Sequence, residues 1–398
     1  MGAYLSQPIT DKETFIGGKA GFLEYGGSSM QGWRRTMEDA HIATVDLGNA
    51  PDAAIFGVFD GHGGSEVAKF CQKYLAEEIT RLEKYHEGNL PDSLVEVFHK
   101  MDSMLKDSAY GAELEALRRS THDAQPQPDD SQVSTSEALD MLRQVLPTSS
   151  CSPPPRLLSM FNSPLPARCI RVRCVQAGCT AVVAVLKGQE LWVANAGDSR
   201  AVLCRGGQAL ALSEDHKPQS EGERNRITAA GGFVSDVGGV SRVNGNLNLS
   251  RAIGDLKYKG NDQLAPAEQI ITAQPDIVKI ELRHEDRFFV LACDGVWDVM
   301  SNQEVVQFVS VCLDRGMALP DIASQLLDAC LAPDPRETRG IGCDNMTACI
   351  VVLNRDAPAA VLPKLAPADG NFAQAPMAQP ASPAAARAAT PTLEASKA

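Results

Sequence analysis

The sequence predicts an α+β layered sandwich, with antiparallel strands at its centre and helices segregated outside them. Three observations predict it. Short apolar runs of strand length recur along the chain, neighbouring runs such as 190–196 and 201–205 are joined too tightly for a crossover helix, and amphipathic helical stretches stand apart from them.

Taken in chain order, residues 1–19 form an N-terminal segment, and one domain is expected over 20–355. Ala53 to Asp60 is the first apolar run and reads as a buried strand. Ser65 to Leu82 sets Val67, Phe70/Cys71, Tyr74/Leu75, Ile79 and Leu82 at helical spacing, so one face can pack on a sheet. A low-complexity insertion at about 107–176 interrupts the domain, marked by Gln125-Pro126-Gln127-Pro128-Asp129-Asp130 and Ser163-Pro164-Leu165-Pro166. Within it, Ser134 to Leu146 has the periodicity of a short helix, with Ser134 and Glu137 spaced as a capping box. Strands are then expected at Cys179 to Leu186, Glu190 to Ala196, Ala201 to Arg205, Arg287 to Asp294 and Met346 to Leu353. A second helix over Asn302 to Arg315 is opened by the capping box Ser301/Glu304 and carries Val305, Val309 and Cys312 on one face. Residues 356–398 are rich in Ala and Pro without apolar periodicity and read as a flexible tail.

Composition narrows the function. The 398 residues are 44% hydrophobic and 22% charged, which suits a soluble globular protein. Lys and Arg number 37 against 50 Asp and Glu, a net charge of -13 that argues against nucleic-acid binding by phosphate neutralisation. The 11 cysteines are odd in number and several lie in apolar runs, so a reducing compartment is expected rather than a disulfide scaffold. Neither a transmembrane run nor a secretory signal is present, which favours the cytoplasm. Met1-Gly2-Ala3-Tyr4-Leu5-Ser6 fits the acceptor pattern for N-myristoylation at Gly2, although no basic cluster follows, so membrane association through it would be weak.

The chemical signal is a set of aspartates at the ends of apolar runs. Asp60 ends the run from Ile55 and is followed by Gly61-His62-Gly63-Gly64; Asp198 follows Leu191 to Gly197; Asp294 ends the run from Phe289; Asp344-Asn345 precedes the run from Met346. A carboxylate at the end of a buried strand costs desolvation energy, and a cluster of them is tolerable when cations neutralise it. Hard oxygen donors suit Mg²⁺ or Mn²⁺. Glycines beside Asp60 let the backbone turn sharply and bring a carbonyl such as that of Gly61 to an ion. A zinc site from Cys169, Cys174 and Cys179 has the wrong spacing for a common finger.

Six segments carry a resemblance to the type 2C, metal-dependent protein phosphatases. They are Gly32-Trp33-Arg34-Arg35-Thr36-Met37-Glu38-Asp39-Ala40-His41, Phe59 to Gly64, Asn195 to Arg200, Leu249 to Asp255, Ala292 to Asp298 and Cys343 to Thr347. The N-terminal hexapeptide and an insertion ahead of Cys179 look most like the gamma-type branch. That branch's acidic insertion and basic C-terminal segment are absent, so its nuclear placement does not carry over and the nucleus is left open. Cys179 departs from the Ser or Thr frequent before Thr180.

The resemblance implies a four-layer α-β-β-α sandwich with two central antiparallel sheets. It implies that Asp60, the carbonyl of Gly61, Asp294 and Asp344 hold two Mn²⁺ or Mg²⁺ ions, with Glu38 and Asp39 assisting through bound waters. Asp198 and Asp298 resemble the carboxylates of a third, weaker site. Arg34 resembles the phosphate-binding arginine, and a planar guanidinium fork suits that task. The implied reaction is hydrolysis of phosphoserine and phosphothreonine in phosphoprotein substrates by a metal-bridging hydroxide, with His62 protonating the leaving alkoxide. The segment Lys217 to Arg242 lies where the family carries a variable flap, and its Arg224 and Arg226 are candidates to meet substrate, against the plainer reading of a solvated helix face. The chain is expected to act as a monomer. Two rivals remain: a scaffold of the same fold, which would be expected to lack one of Asp60, Asp294 or Asp344, and a phosphoesterase acting on small molecules.

Overall fold

In a computed structural model of the protein, residues 4–19, 23–123 and 176–353 are described. Gly2, Cys169, Cys174, the helix expected over Ser134 to Leu146 and the tail 356–398 lie outside them. Sixteen strands are described: β1 Ile9–Lys19, β2 Leu23–Gly32, β3 Ala40–Val45, β4 Ala53–Phe59, β5 Gly61–His62, β6 Gly178–Cys179, β7 Ala181–Lys187, β8 Glu190–Ala196, β9 Arg200–Arg205, β10 Gln208–Ala211, β11 Val234–Val237, β12 Val240–Val243, β13 Ile253–Gly254, β14 Asp276–Glu281, β15 Asp286–Ala292 and β16 Met346–Val352. The longer helices are α1 Glu66–Thr80, α2 Leu90–Lys106, α3 Gly111–Asp123, α4 Glu221–Ala229, α5 Asn302–Asp314 and α6 Leu319–Cys330.

Two antiparallel sheets form the centre. One runs β1-β2-β16-β15-β9-β10 and the other β14-β8-β7-β4-β3. Side chains alternate across each strand, and both faces are used. In β4, Ala54, Phe56 and Val58 meet Val182, Ala184, Phe289, Leu291 and Val351 between the sheets. Ile55 and Phe59 point the other way, into a core with Phe70, Leu75 and Ile79 of α1 and Leu94, Phe98 and Met101 of α2. Across the molecule Phe288, Val290, Ile350 and Val352 pack on Val305 and Val309 of α5 and Ile322 and Leu326 of α6. Helices, sheet, sheet and helices thus make four layers. Burial on both faces explains why these antiparallel strands read as continuous apolar runs rather than alternating ones.

Two boundaries differ from the sequence reading. β1 pairs with β2 along its length, Phe15 opposite Gly27 and Lys19 opposite Leu23, so the segment 1–19 contributes an edge strand of the sandwich. Its exposed alternate residues gave it too polar a pattern to stand out. The segment read as loop from 107 begins with α3, whose Leu114 is buried in the helix-side core of β4. Few apolar residues anchor that helix, so its periodicity was weak. None of the helices among the described residues is long and apolar enough to cross a membrane.

Candidate active site

Strand register brings the sequence's aspartates to one end of both sheets. Ala40 opposes Phe59, so Asp39 and Asp60 sit side by side where β3 begins and β4 ends. Ala292 opposes both Arg200 and Ala348, which puts Cys293-Asp294, the Asp198 turn and the residues before Met346 at the same end. Met346 opposes Met30, so the chain leaving β2 through Arg34 starts beside Asp344. Asn345 ties these loops: its Oδ1 accepts from the Glu38 amide at 2.9 Å, and its Nδ2 donates to the carbonyls of Gln31 at 2.8 Å and Thr36 at 2.9 Å.

The result is a cleft of about 710 Å³ whose lining includes Arg34, Glu38, Gly61, Asp198, Asp294 and Asp344, with Asp60 and His62. Asp39 is buried behind it. Asp39 Oδ2 accepts from Thr347 Oγ1 at 2.7 Å, whereas Asp39 Oδ1 is buried with no hydrogen-bond partner among the described residues. Burial lifts the Asp39 carboxyl to about 7. Burial also pushes Asp60 and Asp294 well above the usual carboxylate range, and repulsion from the neighbouring aspartates adds to it. Burial raises Asp344 too, opposed by an ion pair with Arg34. A set of oxygens held together against their own repulsion, one of them orphaned, fits divalent cations with hard-ligand preference. Ligating atoms of Asp39, Asp60 and Cys293 come within 4.8 Å of one another. Cys293 is a poor candidate: burial pushes its thiol well up, its Sγ accepts from the Thr347 amide at 3.2 Å, and soft sulfur suits neither Mg²⁺ nor Mn²⁺.

Around the carboxylates the supporting contacts are specific. Glu38 accepts from Thr36 Oγ1 at 2.9 Å and from the Gly64 amide at 3.1 Å, so its side chain spans the glycine turn after His62. A Cβ on Gly61 would stand 2.2 Å from the Glu38 carbonyl oxygen, which is why this position takes glycine. Asp198 is 2% exposed and accepts from Lys217 Nζ at 2.6 Å. Asp298 lies one helical turn past Asp294, donating its amide to the Asp294 carbonyl at 2.8 Å, and is exposed outside the cleft lining. His62 Nε2 lies 2.5 Å from Asp255 Oδ2. Burial disfavours the imidazolium, yet Asp255, with Asp198 and Glu38 further off, raises the His62 pKa.

Sequence reasoning quoted Asp255, Asn345 and Lys217 within motifs or segments but gave them no task. Their partners are 193, 307 and 19 residues away, so only the fold pairs them. The flap arginines need correction. Arg226 is held by Glu223 at 2.6 Å and by the Ser250 carbonyl at 2.6 Å, and Arg224 is exposed away from the cleft lining; Arg242 on β12 lines it instead.

Comparison with known proteins gives a consistent result. The family described as Protein phosphatase 2C matches residues 23–124 and 156–338. The chain is 44% identical over 353 residues to "Probable protein phosphatase 2C 58" of Oryza sativa subsp. japonica, covering 88% of this chain and 89% of that one. It is 41% identical over 352 residues to "Probable protein phosphatase 2C 6" of Paramecium tetraurelia, covering 88% and 99%. Among solved structures, a phosphatase from a pathogenic strain of Toxoplasma gondii superposes with a TM-score of 0.57 at 21% identity, covering 86% of this chain and 96% of that one. A C. elegans sex determining protein gives 0.57 at 20% identity, covering 85% and 66%. At such identities these two likenesses concern the fold alone.

Proposed function

The chain belongs to the protein phosphatase 2C family and is a metal-dependent serine/threonine phosphatase, and from that premise we propose how its residues divide the work. Asp60, the Gly61 carbonyl, Asp294 and Asp344 would hold two Mn²⁺ or Mg²⁺ ions, with Glu38 and Asp39 beside them and Asp198 and Asp298 serving a weaker third. The observation that carries this reading is the convergence of partly buried, mutually repelling carboxylates on one cleft, with the buried Asp39 Oδ1 left without a partner among the described residues. Bound there, the ions supply an activated water and neutralise charge on the transferring phosphoryl group.

Arg34 stands in the same cleft and presents its guanidinium to the substrate phosphate, exchanging its contact with Asp344 for the phosphoryl oxygens. The alkoxide of serine or threonine is a strongly basic leaving group and needs a proton. His62 supplies it: Asp255 holds Nε2 and favours the protonated ring against the opposing effect of burial, leaving Nδ1 to deliver the proton.

Phosphate release from a phosphothreonine peptide tests the scheme in Mn²⁺, in EDTA and with two variants. Turnover is expected to vanish in EDTA, to fall by at least about 100-fold in Asp294→Asn, and to fall about 10²- to 10⁴-fold in His62→Gln. Full turnover in EDTA or in Asp294→Asn would sink the metal assignment; an unimpaired His62→Gln would remove the general acid.

A further inference from the structure

The cleft extends beyond the groups that handle phosphate. Its lining includes Tyr4, from the N-terminal segment ahead of β1, alongside Arg34 and Asp344. Among the described residues Tyr4 carries the only phenyl ring in that lining, whose remaining members away from the carboxylates are mainly polar or cationic, such as Arg35, Thr36 and Arg242.

Tyr4 is fixed there by its surroundings. The amide of the next residue, Leu5, donates to the Trp33 carbonyl at 3.0 Å, one residue before Arg34. Trp33 is 8% exposed, donates Nε1 to the Ala332 carbonyl at 2.8 Å and packs with Ala332 and Cys343. The Tyr4 hydroxyl lies over Gly340, where a Cβ would stand 2.8 Å from it, and Gly340 has φ +92°. Burial raises the phenol pKa, and Cys343, Arg34 and Asp344 are its electrostatic neighbours. Tyr4 nevertheless remains 38% exposed, facing solvent rather than core.

A half-exposed aromatic side chain held at the mouth of a charged cleft, by backbone contacts that the phosphate chemistry does not need, has a surface to offer a ligand. A phosphoryl group bound at Arg34 and the carboxylates occupies only part of 710 Å³. The rest is available to the chain on which that phosphate is carried. We propose that Tyr4 is a specificity-determining residue, its ring packing against an apolar or proline residue that flanks the phosphorylated serine or threonine. The inference rests on the phosphatase reading above and adds the feature by which this cleft prefers a peptide to a small phosphate ester. Rigid aromatic rings give large contact area at low entropic cost, which suits this use.

The test compares full-length wild type, Tyr4→Ala and Tyr4→Phe in Mn²⁺ on two substrates. One is a phosphothreonine peptide with proline after the phosphorylated residue, the other p-nitrophenyl phosphate. Tyr4→Ala is expected to lower kcat/KM on the peptide about tenfold more than on the small ester, mainly through KM. Tyr4→Phe, which keeps the ring, is expected to restore the wild-type ratio to within about twofold. Equal losses on both substrates would overturn the proposal, because Tyr4 would then act by holding Arg34 or the Asp344 loop. An unchanged peptide KM would overturn it too. Absence of Mn²⁺-dependent turnover by the wild type on either substrate would instead remove the phosphatase reading on which it stands.

Discussion

Asp255 shows how a single residue is bent to a task. It holds a left-handed backbone, φ 49° and ψ 38°, which costs a non-glycine residue free energy unless its surroundings enforce it. They do so from both sides. The Gly254 amide donates to Asp102 Oδ1 at 2.8 Å, Lys259 Nζ bridges Asp102 Oδ2 at 2.5 Å and the Ala252 carbonyl at 2.7 Å, and the Asp255 amide donates to the Ala177 carbonyl at 2.9 Å. The carboxylate so fixed meets His62. Asp255→Asn keeps a residue type that tolerates the left-handed region while removing the charge, so the fold should survive. Its kcat on the phosphothreonine peptide is expected to fall about 10- to 100-fold, less than for His62→Gln. A wild-type kcat would show that the pair has no bearing on proton delivery. The Leu249 to Asp255 motif is plain in the sequence, but nothing in it points to His62.

Among the elements, the short helical turn Asp294–Trp297 is the one the site depends on most. It follows β15 directly, and Trp297 Nε1 caps the Ala292 carbonyl at 2.8 Å, so the turn folds back on the strand that delivers Asp294. Gly295 lets it press against the loop carrying Asp344, because a Cβ there would stand 2.2 Å from the Asn345 carbonyl oxygen. Helix propensity favours alanine over glycine by about 1 kcal/mol, yet backbone atoms cannot step aside without moving Asp344. The clash should win. Gly295→Ala is expected to destabilise the protein by about 1–3 kcal/mol in urea titration and to weaken Mn²⁺ binding in calorimetry. A stability equal to or above wild type would refute the tight approach of the two loops. The elements most legible beforehand were those with one repeating pattern. The α1 and α5 faces and the apolar runs of β4, β7, β15 and β16 fall where periodicity put them. β1, half exposed at a sheet edge, and the two-residue strands β5, β6 and β13 have too little apolar pattern to be read.

Across the whole molecule, a buried charge network joins the flap to the sandwich. Glu223 of α4 receives Arg226 at 2.6 Å, Arg251 at 2.8 Å and Ser250 Oγ at 2.5 Å, and Arg251 continues to Asp276 at the start of β14 at 2.7 Å. Burial alone would raise Glu223, but Arg251, Arg226 and Ser250 outweigh it and hold the carboxyl down at about 2. A carboxyl depressed in the folded state contributes stability that is fully present above its unfolded pKa of about 4.3 and is lost as pH falls toward 2. The contribution is on the order of 1–3 kcal/mol. Thermal unfolding followed from pH 6 to pH 2.5 should therefore show a shallower acid decline in Glu223→Gln than in wild type, from a lower starting Tm; parallel declines would exclude the network as a source of acid sensitivity. By itself the sequence determined the layered α+β class, the family and the candidate ligand residues, because strand-length apolar runs and aspartates at their ends are local properties that survive without a fold. Only the tertiary structure decided that Asp255 faces His62, that Asn345 ties the Glu38 loop, that Arg242 rather than Arg226 reaches the cleft and that Tyr4 joins its rim. Each of those depends on register and close approach between segments distant in sequence, and no local pattern encodes a distance between two strands that have not yet met.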